Sequence, residues 1–250
     1  MKTIPAIHPA APVRPVGSIR AFTLIELLTV IAIIGILSAL ALAGIGMARK
    51  KAQQVRCISN LRQMGVAILA YTDEHRGILP GPTGLNASPK YYSGKPESFG
   101  YKLAPWLAIR RPEDLGAEEG KASILLCPSR AETIPSYLVQ CTLDKNRMSN
   151  ESVRPFGQSG LADSDPRRKP VPYAELETIG GPSRVWALIE ADQMLGNKTN
   201  PATGWTNATG VPGSGWYGNL PEQPIHGNAR AVLYFDARVA LIRDVPAPFY

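Results

Sequence analysis

The sequence predicts an α+β protein: one long N-terminal helix, apolar in its first half and amphipathic in its second, packed on a small antiparallel-sheet head with long loops. Three observations predict this. Residues 27–48 form a run of 22 residues without a charge, long enough to cross a bilayer as a helix. Beyond it Val55, Ile58, Leu61, Met64 or Gly65, Ile68 and Tyr71 or Thr72 recur at three- and four-residue steps, with Arg56, Asn60, Arg62 and Gln63 largely between them. That spacing describes one buried helix face. The chain closes with two β-rich apolar runs, 229–235 and 238–243, either side of Asp236-Ala237.

The helix is expected to run over 22–76, with Gly77 as C-cap and Pro80 as stop. At about 1.5 Å per residue that is roughly 80 Å. Glu26 is a carboxylate inside the apolar face near its start. Such a group costs a few kcal/mol in a membrane unless it is paired, which makes it a functional candidate in need of a partner; the plain alternative is a carboxylate that snorkels to the interface. Ala43-Gly44-Ile45-Gly46 is the weakest part of the helix, because each interior Gly costs about 1 kcal/mol relative to Ala. Two readings stand: small residues that let helices pack closely, or a segment that loosens when subunits are compressed.

The formal charge of +7 is unevenly placed. Residues 1–21 carry Lys2, Arg14 and Arg20 with no acid, and residues 22–76 carry six basic and three acidic groups. From Gly77 onward 18 basic residues face 17 acidic ones. A nucleic-acid binder needs a basic face on its folded domain, so nucleic acid is not expected as a partner. The Pro-rich segment 1–21 precedes the apolar run, whereas a secretory signal has its small-residue cleavage site after the apolar core. The order fits a leader removed on its own side of the membrane, leaving the helix on the product. Arg49, Lys50, Lys51 and Arg56 flank the far end as densely, so charge alone leaves the orientation open.

In the head, 80–82 and 91–96 read as Gly- and Pro-rich loops. Residues 101–110 suggest a short helix, 123–127 a brief strand ended by Pro128, and 184–191 a second apolar strand. The polar stretch 142–172 suggests an excursion over the surface, and 197–223, with Trp205, Trp216 and Tyr217, a long ordered loop. A two-residue type I′ turn at Asp236-Ala237 would want Gly second, so a looser turn is expected there.

Arg20-Ala21-Phe22-Thr23-Leu24-Ile25-Glu26 resembles the cleavage and methylation site of type IV prepilins and of the pseudopilins of type II secretion, with Ala21 where the family usually has Gly. The resemblance implies a ladle-shaped fold and four parts: 1–21 a leader, 22–48 the transmembrane and polymerisation helix, 49–76 its amphipathic continuation, and 77–250 a periplasmic β-rich head. It implies a cut between Ala21 and Phe22 by prepilin peptidase, methylation of Phe22, and Glu26 neutralising the new amino terminus of a neighbouring subunit. The implied partners are that peptidase, homologous subunits, membrane lipid and an inner-membrane secretion platform. The implied location is the inner membrane, single-pass, with a cytoplasmic leader and a periplasmic head, then a pseudopilus.

A second likeness runs through Cys57-Ile58-Ser59-Asn60-Leu61-Arg62-Gln63, Leu126-Cys127-Pro128-Ser129, Gly181-Pro182-Ser183-Arg184, and His226 followed after nine residues by Asp236. These resemble a pseudopilin-like family of planctomycete and verrucomicrobial type, whose signature has Gly where Ala237 stands. His226 and Asp236 are a signature of unknown role. Only three histidines are present, with no nucleophile elbow and no phosphate-cradling loop; a structural His226, bonding a backbone or acidic group, is favoured over a catalytic one, and no enzyme activity or cofactor is expected.

The three cysteines leave two pairings open. A Cys57–Cys127 disulfide would staple helix to head; alternatively both are buried thiols. Cys141 would be single or compete for Cys127. Some pseudopilins of the resembling family hold calcium, but Glu190, Asp192 and Glu222 are too dispersed for such a site, and no metal is expected. The function expected is a structural subunit of a type II secretion-like or type IV pilus-like fibre, assembled through its N-terminal helix to drive protein secretion, with a surface type IV pilin as the structural runner-up. The alternative is a membrane-tethered periplasmic ligand-binding or enzymatic domain that uses the 197–223 loop.

Overall fold

A computed structural model describes residues 22–84, 86–130, 137–139, 143–144, 152–192 and 221–243. The leader with Ala21, Cys141, and the loop expected over 197–223 as far as residue 220 lie outside the described residues. The chain divides into two units between Met47 and Ala48. One helix, α1 (Leu24–Glu74), contributes to both.

In the first unit α1 is apolar on all sides. Leu24, Ile36 and Leu42 are exposed by 82%, 63% and 71%, and none of the most apolar 18-residue window is buried. A helix hydrophobic all round is stable when lipid or other helices cover it. The helix starts at Leu24 rather than Phe22, because Thr23 caps it. It stays helical through residues 43–46.

In the second unit α1 buries a single face. Cys57, Leu61, Met64, Ala67 and Ile68 are all within 1% of complete burial, at the steps that put side chains on one stripe. Each fully buried Leu, Met or Ile contributes about 1.5–3 kcal/mol. The helix stops at Glu74, two residues earlier than the sequence suggests. Arg76 and Gly77 both take positive φ (56° and 81°), and the Gly77 N–H donates to Thr72 O at 2.8 Å.

That face packs in one hydrophobic cluster with the head's sheet. Five antiparallel strands lie in the order β1 (Asn86–Ala87), β4 (Tyr137–Val139), β7 (Trp186–Glu190), β8 (Arg230–Tyr234), β9 (Val239–Ile242). Two short ladders stand outside it, β2 (Lys90–Tyr91) with β3 (Gly120–Lys121), and β5 (Leu143–Asp144) with β6 (Ser152–Val153). β7 is buried along its whole length and β8 nearly so, as the two unbroken apolar runs require.

Several local expectations are corrected. The helix expected over 101–110 is α2 (Phe99–Leu103), capped by Ser98, followed by a 3-10 turn at Ala104–Trp106; Pro105 cannot continue the donor ladder. Residues 123–127 are not a strand: Ser123–Leu125 is a 3-10 turn that buries Leu125 and Cys127. Tyr91, expected in a loop, lies in β2 with its ring fully buried, and its hydroxyl donates to Arg110 O. The polar stretch 142–172 is not wholly superficial, since Phe156 sits between Phe99 and Phe235 at centroid distances of 5.3 and 5.1 Å. Burial of one aromatic outweighs the polar character of its neighbours.

The C-terminal hairpin is tied to α1 by a close approach. Its loop is three residues, 235–237: Ala237 N–H donates to Tyr234 O (3.0 Å) and Tyr234 N–H to Arg238 O (2.9 Å). Ala237 has φ 63°, a conformation costing a non-glycine residue about 1–2 kcal/mol. Opposite it lies Gly65 of α1. A Cβ there would fall 2.8 Å from Leu233 Cδ1 and 2.9 Å from Ala237 Cα and Cβ. Gly65→Ala gains about 1 kcal/mol of helix propensity but pushes against backbone, where overpacking costs about 1–3 kcal/mol. The expected net loss is about 1 kcal/mol, read by denaturant unfolding; an unchanged midpoint would show that the hairpin yields freely.

Candidate functional site

Two places gather chemistry, one at the start of α1 and one inside the head. At the first, Thr23 and Glu26 form a reciprocal cap. The Thr23 N–H and hydroxyl donate to Glu26 Oε2 at 2.9 and 2.8 Å, and the Glu26 N–H donates to Thr23 Oγ1 at 3.3 Å. This is the capping-box arrangement, in which a Thr and a Glu three residues on satisfy backbone donors that the first helical turn leaves open. The pattern Thr-x-x-Glu is the sequence signal for this cap. Phe22, next to this cap, is 71% exposed.

The second place lies where β7 ends and β8 begins. Cys57 of α1 and Cys127, just past the Ser123–Leu125 turn, are joined in a disulfide with Cα atoms 5.1 Å apart. Two further contacts hold the same seam: Asn60 Nδ2 donates to Leu126 O at 3.1 Å, and Gln53 Nε2 to Pro128 O at 3.5 Å. His226, paired through a bridge with Ala229 ahead of β8, puts Nε2 3.5 Å from Cys127 Sγ and 3.0 Å from Glu190 Oε1. With Glu190 ionised the carboxylate accepts and Nε2 is the donor of this contact. Glu190 Oε2 accepts from the Ala231 N–H at 2.7 Å. Both side chains are almost wholly buried.

A second buried pair lies beside it. Arg230 opens β8 and grips Asp192 with two nitrogens, Nη2 to Oδ1 at 2.8 Å and Nε to Oδ2, while Nη1 donates to Arg243 O. Burial pulls Arg130 down to a pKa of about 10, against the opposing pull of Glu190 and Asp192. Burial also pushes the Tyr137 phenol well above its ordinary value, and Glu190 adds to that push.

The structure separates His226 from Asp236. The five residues of β8 lie between them, and Asp236 is exposed in the hairpin loop, accepting from Arg238 N–H at 3.0 Å. They form no dyad. His75, the other histidine described, stacks on Tyr71 with centroids 3.7 Å apart and edges Trp106. What the sequence reading missed is the company His226 keeps. Glu190 and Asp192 stood out only as scattered acids, and Arg230 not at all, because 36 or more residues separate these partners along the chain.

Residues 18–48 match the model of the prokaryotic N-terminal methylation motif. No curated protein and no solved structure matches the chain. The motif, with a long α1 and a small antiparallel sheet after it in the chain, fits a membrane-anchored, pilin-like protein. Processing by a prepilin peptidase and pilin-type assembly follow from the motif.

Two outcomes are expected of the head. Reducing the Cys57–Cys127 bridge, which spans 70 residues, should lower its stability by about 4 kcal/mol, read by unfolding with and without reductant. Asp192→Asn leaves the Arg230 charge buried without its counterion and should cost about 3–5 kcal/mol, whereas replacing both residues by apolar ones of similar volume should cost much less.

Proposed function

We propose that this chain is a structural subunit of a type II secretion-like pseudopilus. Prepilin peptidase removes residues 1–21 at Ala21–Phe22, the new terminus is methylated, and the mature helix enters a bundle of homologous subunits above an inner-membrane platform. The head then stands on the periplasmic side, and growth of the fibre drives protein export.

The observation that carries this reading is the matched segment at 18–48 leading into a helix whose apolar residues are uncovered on every side. In lipid such a helix is at home. In a fibre its sisters cover it, and the one carboxylate among those apolar residues, Glu26, meets the cationic amino terminus of a neighbour. Two charges in hydrocarbon each lose much of their hydration, and pairing them recovers part of the loss. That gives the bundle a register as well as an attraction.

The capping box offers a competing duty for the same side chain, and the two can be separated. Gln can cap as Glu does but has no charge. If pairing governs assembly, Glu26→Gln and Glu26→Ala should both be cleaved normally and both reduce assembled fibre by on the order of tenfold or more. If capping alone matters, Glu26→Gln should assemble like the parent, and the pairing idea fails. The secretion role has its own readout: deleting the gene should trap exported proteins inside the cell, and unimpaired export would leave a surface pilus as the better reading.

A further inference from the structure

Four side chains of metal-binding type converge inside the head, and the functional reading of the N-terminal helix makes no use of them. One donor atom each from Cys57, Cys127, Glu190 and His226 lies within 4.8 Å of all the others. The two sulfur-bearing residues are at most 1% exposed, and the imidazole and carboxylate side chains 3% and 2%. His226 Nε2 faces Glu190 Oε1 at 3.0 Å and Cys127 Sγ at 3.5 Å. A nitrogen, an oxygen and two sulfurs thus face one another inside the core. Once the two sulfurs part, a tetrahedral cation among these donors would take legs of about 2.0–2.2 Å to N and O and about 2.3 Å to S.

We propose that when the Cys57–Cys127 disulfide is reduced, Cys57, Cys127, His226 and Glu190 close around a Zn²⁺ ion. The cluster then ties α1 to the sheet in both redox states, by a covalent bond in one and by a metal in the other. In the reductive step a dithiol supplies two electrons and two protons and is itself oxidised to a disulfide. The Sγ–Sγ bond breaks and two thiols form. On metal entry both thiols release their protons to solvent as two Zn–S bonds form. His226 moves its hydrogen from Nε2 to Nδ1 through solvent, so that the neutral ring presents a lone pair to the ion.

The donor set selects the ion. Two thiolates and an imidazole suit zinc and exclude calcium and magnesium, which want oxygen. All four positions are filled by protein, which describes a structural site and not a catalytic one. The supporting contacts already exist. Ala231 N–H holds the second oxygen of Glu190 at 2.7 Å, and Asn60 holds the carbonyl next to Cys127. Such outer contacts orient ligands and tune their affinity. Two thiolates and a carboxylate leave one negative charge uncompensated by Zn²⁺, and the buried Arg130 guanidinium interacts with Glu190. No sequence spacing announces this site, because its ligands come from α1, a turn, β7 and the approach to β8.

The test uses the full chain in detergent, oxidised or reduced with a trialkylphosphine, titrated with Co²⁺ and then with Zn²⁺. The reduced protein should bind one Co²⁺ per chain with thiolate-to-metal charge-transfer bands and the visible bands of a tetrahedral ion, and Zn²⁺ should erase both. Zn²⁺ should raise the melting temperature of the reduced protein and leave that of the oxidised protein unchanged. His226→Gln and Glu190→Gln, each with the cysteines intact, should weaken Zn²⁺ binding by more than about 100-fold, beyond the effect of losing an outer contact. Equal binding by the oxidised and reduced forms would overturn the proposal. So would a reduced protein that keeps its circular dichroism and binds no ion, or one that unfolds and is not restored by Zn²⁺. Unchanged affinity in His226→Gln would do the same.

Discussion

The head is organised by how closely α1 can approach its sheet. Gly65 has no side chain because Leu233 and the Ala237 backbone already occupy the space a Cβ would fill. On either side of that contact, Leu61, Met64 and Ile68 seal the same face. The hairpin loop has to reach the helix to close the core, and Ala237 accepts a positive φ in doing so. Strain in one residue is outweighed by burial of several, because each apolar side chain removed from water contributes more than a left-handed alanine costs.

Against this apolar seam the sheet sets a run of buried charge. Glu190, Asp192 and Arg230 are each at least 98% buried, at one end of the two central strands. Desolvation makes such groups expensive, and what makes them tolerable is complete pairing. Glu190 is met by His226 and by a backbone donor, and Arg230 by both oxygens of Asp192. These contacts span β7 and β8, so a slip of one residue would turn each partner to the opposite face of the sheet. The pairs thereby specify the register that the apolar residues alone would leave less sharply defined.

At the other end of α1 a single carboxylate serves the helix. Thr23 and Glu26 close the first turn on themselves, so the helix begins cleanly at Leu24. The same acid lies among uncovered apolar side chains in a segment matching the methylation motif. A side chain held by such contacts is ordered by its own helix, so its rotamer entropy is already lost.

The long helix, its apolar first half and its one buried face were legible in the sequence, because periodicity and length are local properties of the chain. So were the apolar runs that became β7, β8 and β9. The turns were less so: a strand expected at 123–127 is a 3-10 turn, while the hairpin loop is the looser turn expected at Asp236-Ala237. Proline, left-handed residues and the reach to α1 decided those details after the apolar pattern had been satisfied. What only the tertiary structure decided is the company of His226. Its sequence neighbour by signature, Asp236, ended on the far side of a strand, while Cys57, Cys127 and Glu190 came from distant segments to surround it. Residues that close a core are drawn together by packing geometry in three dimensions, and spacing along one dimension carries no record of it.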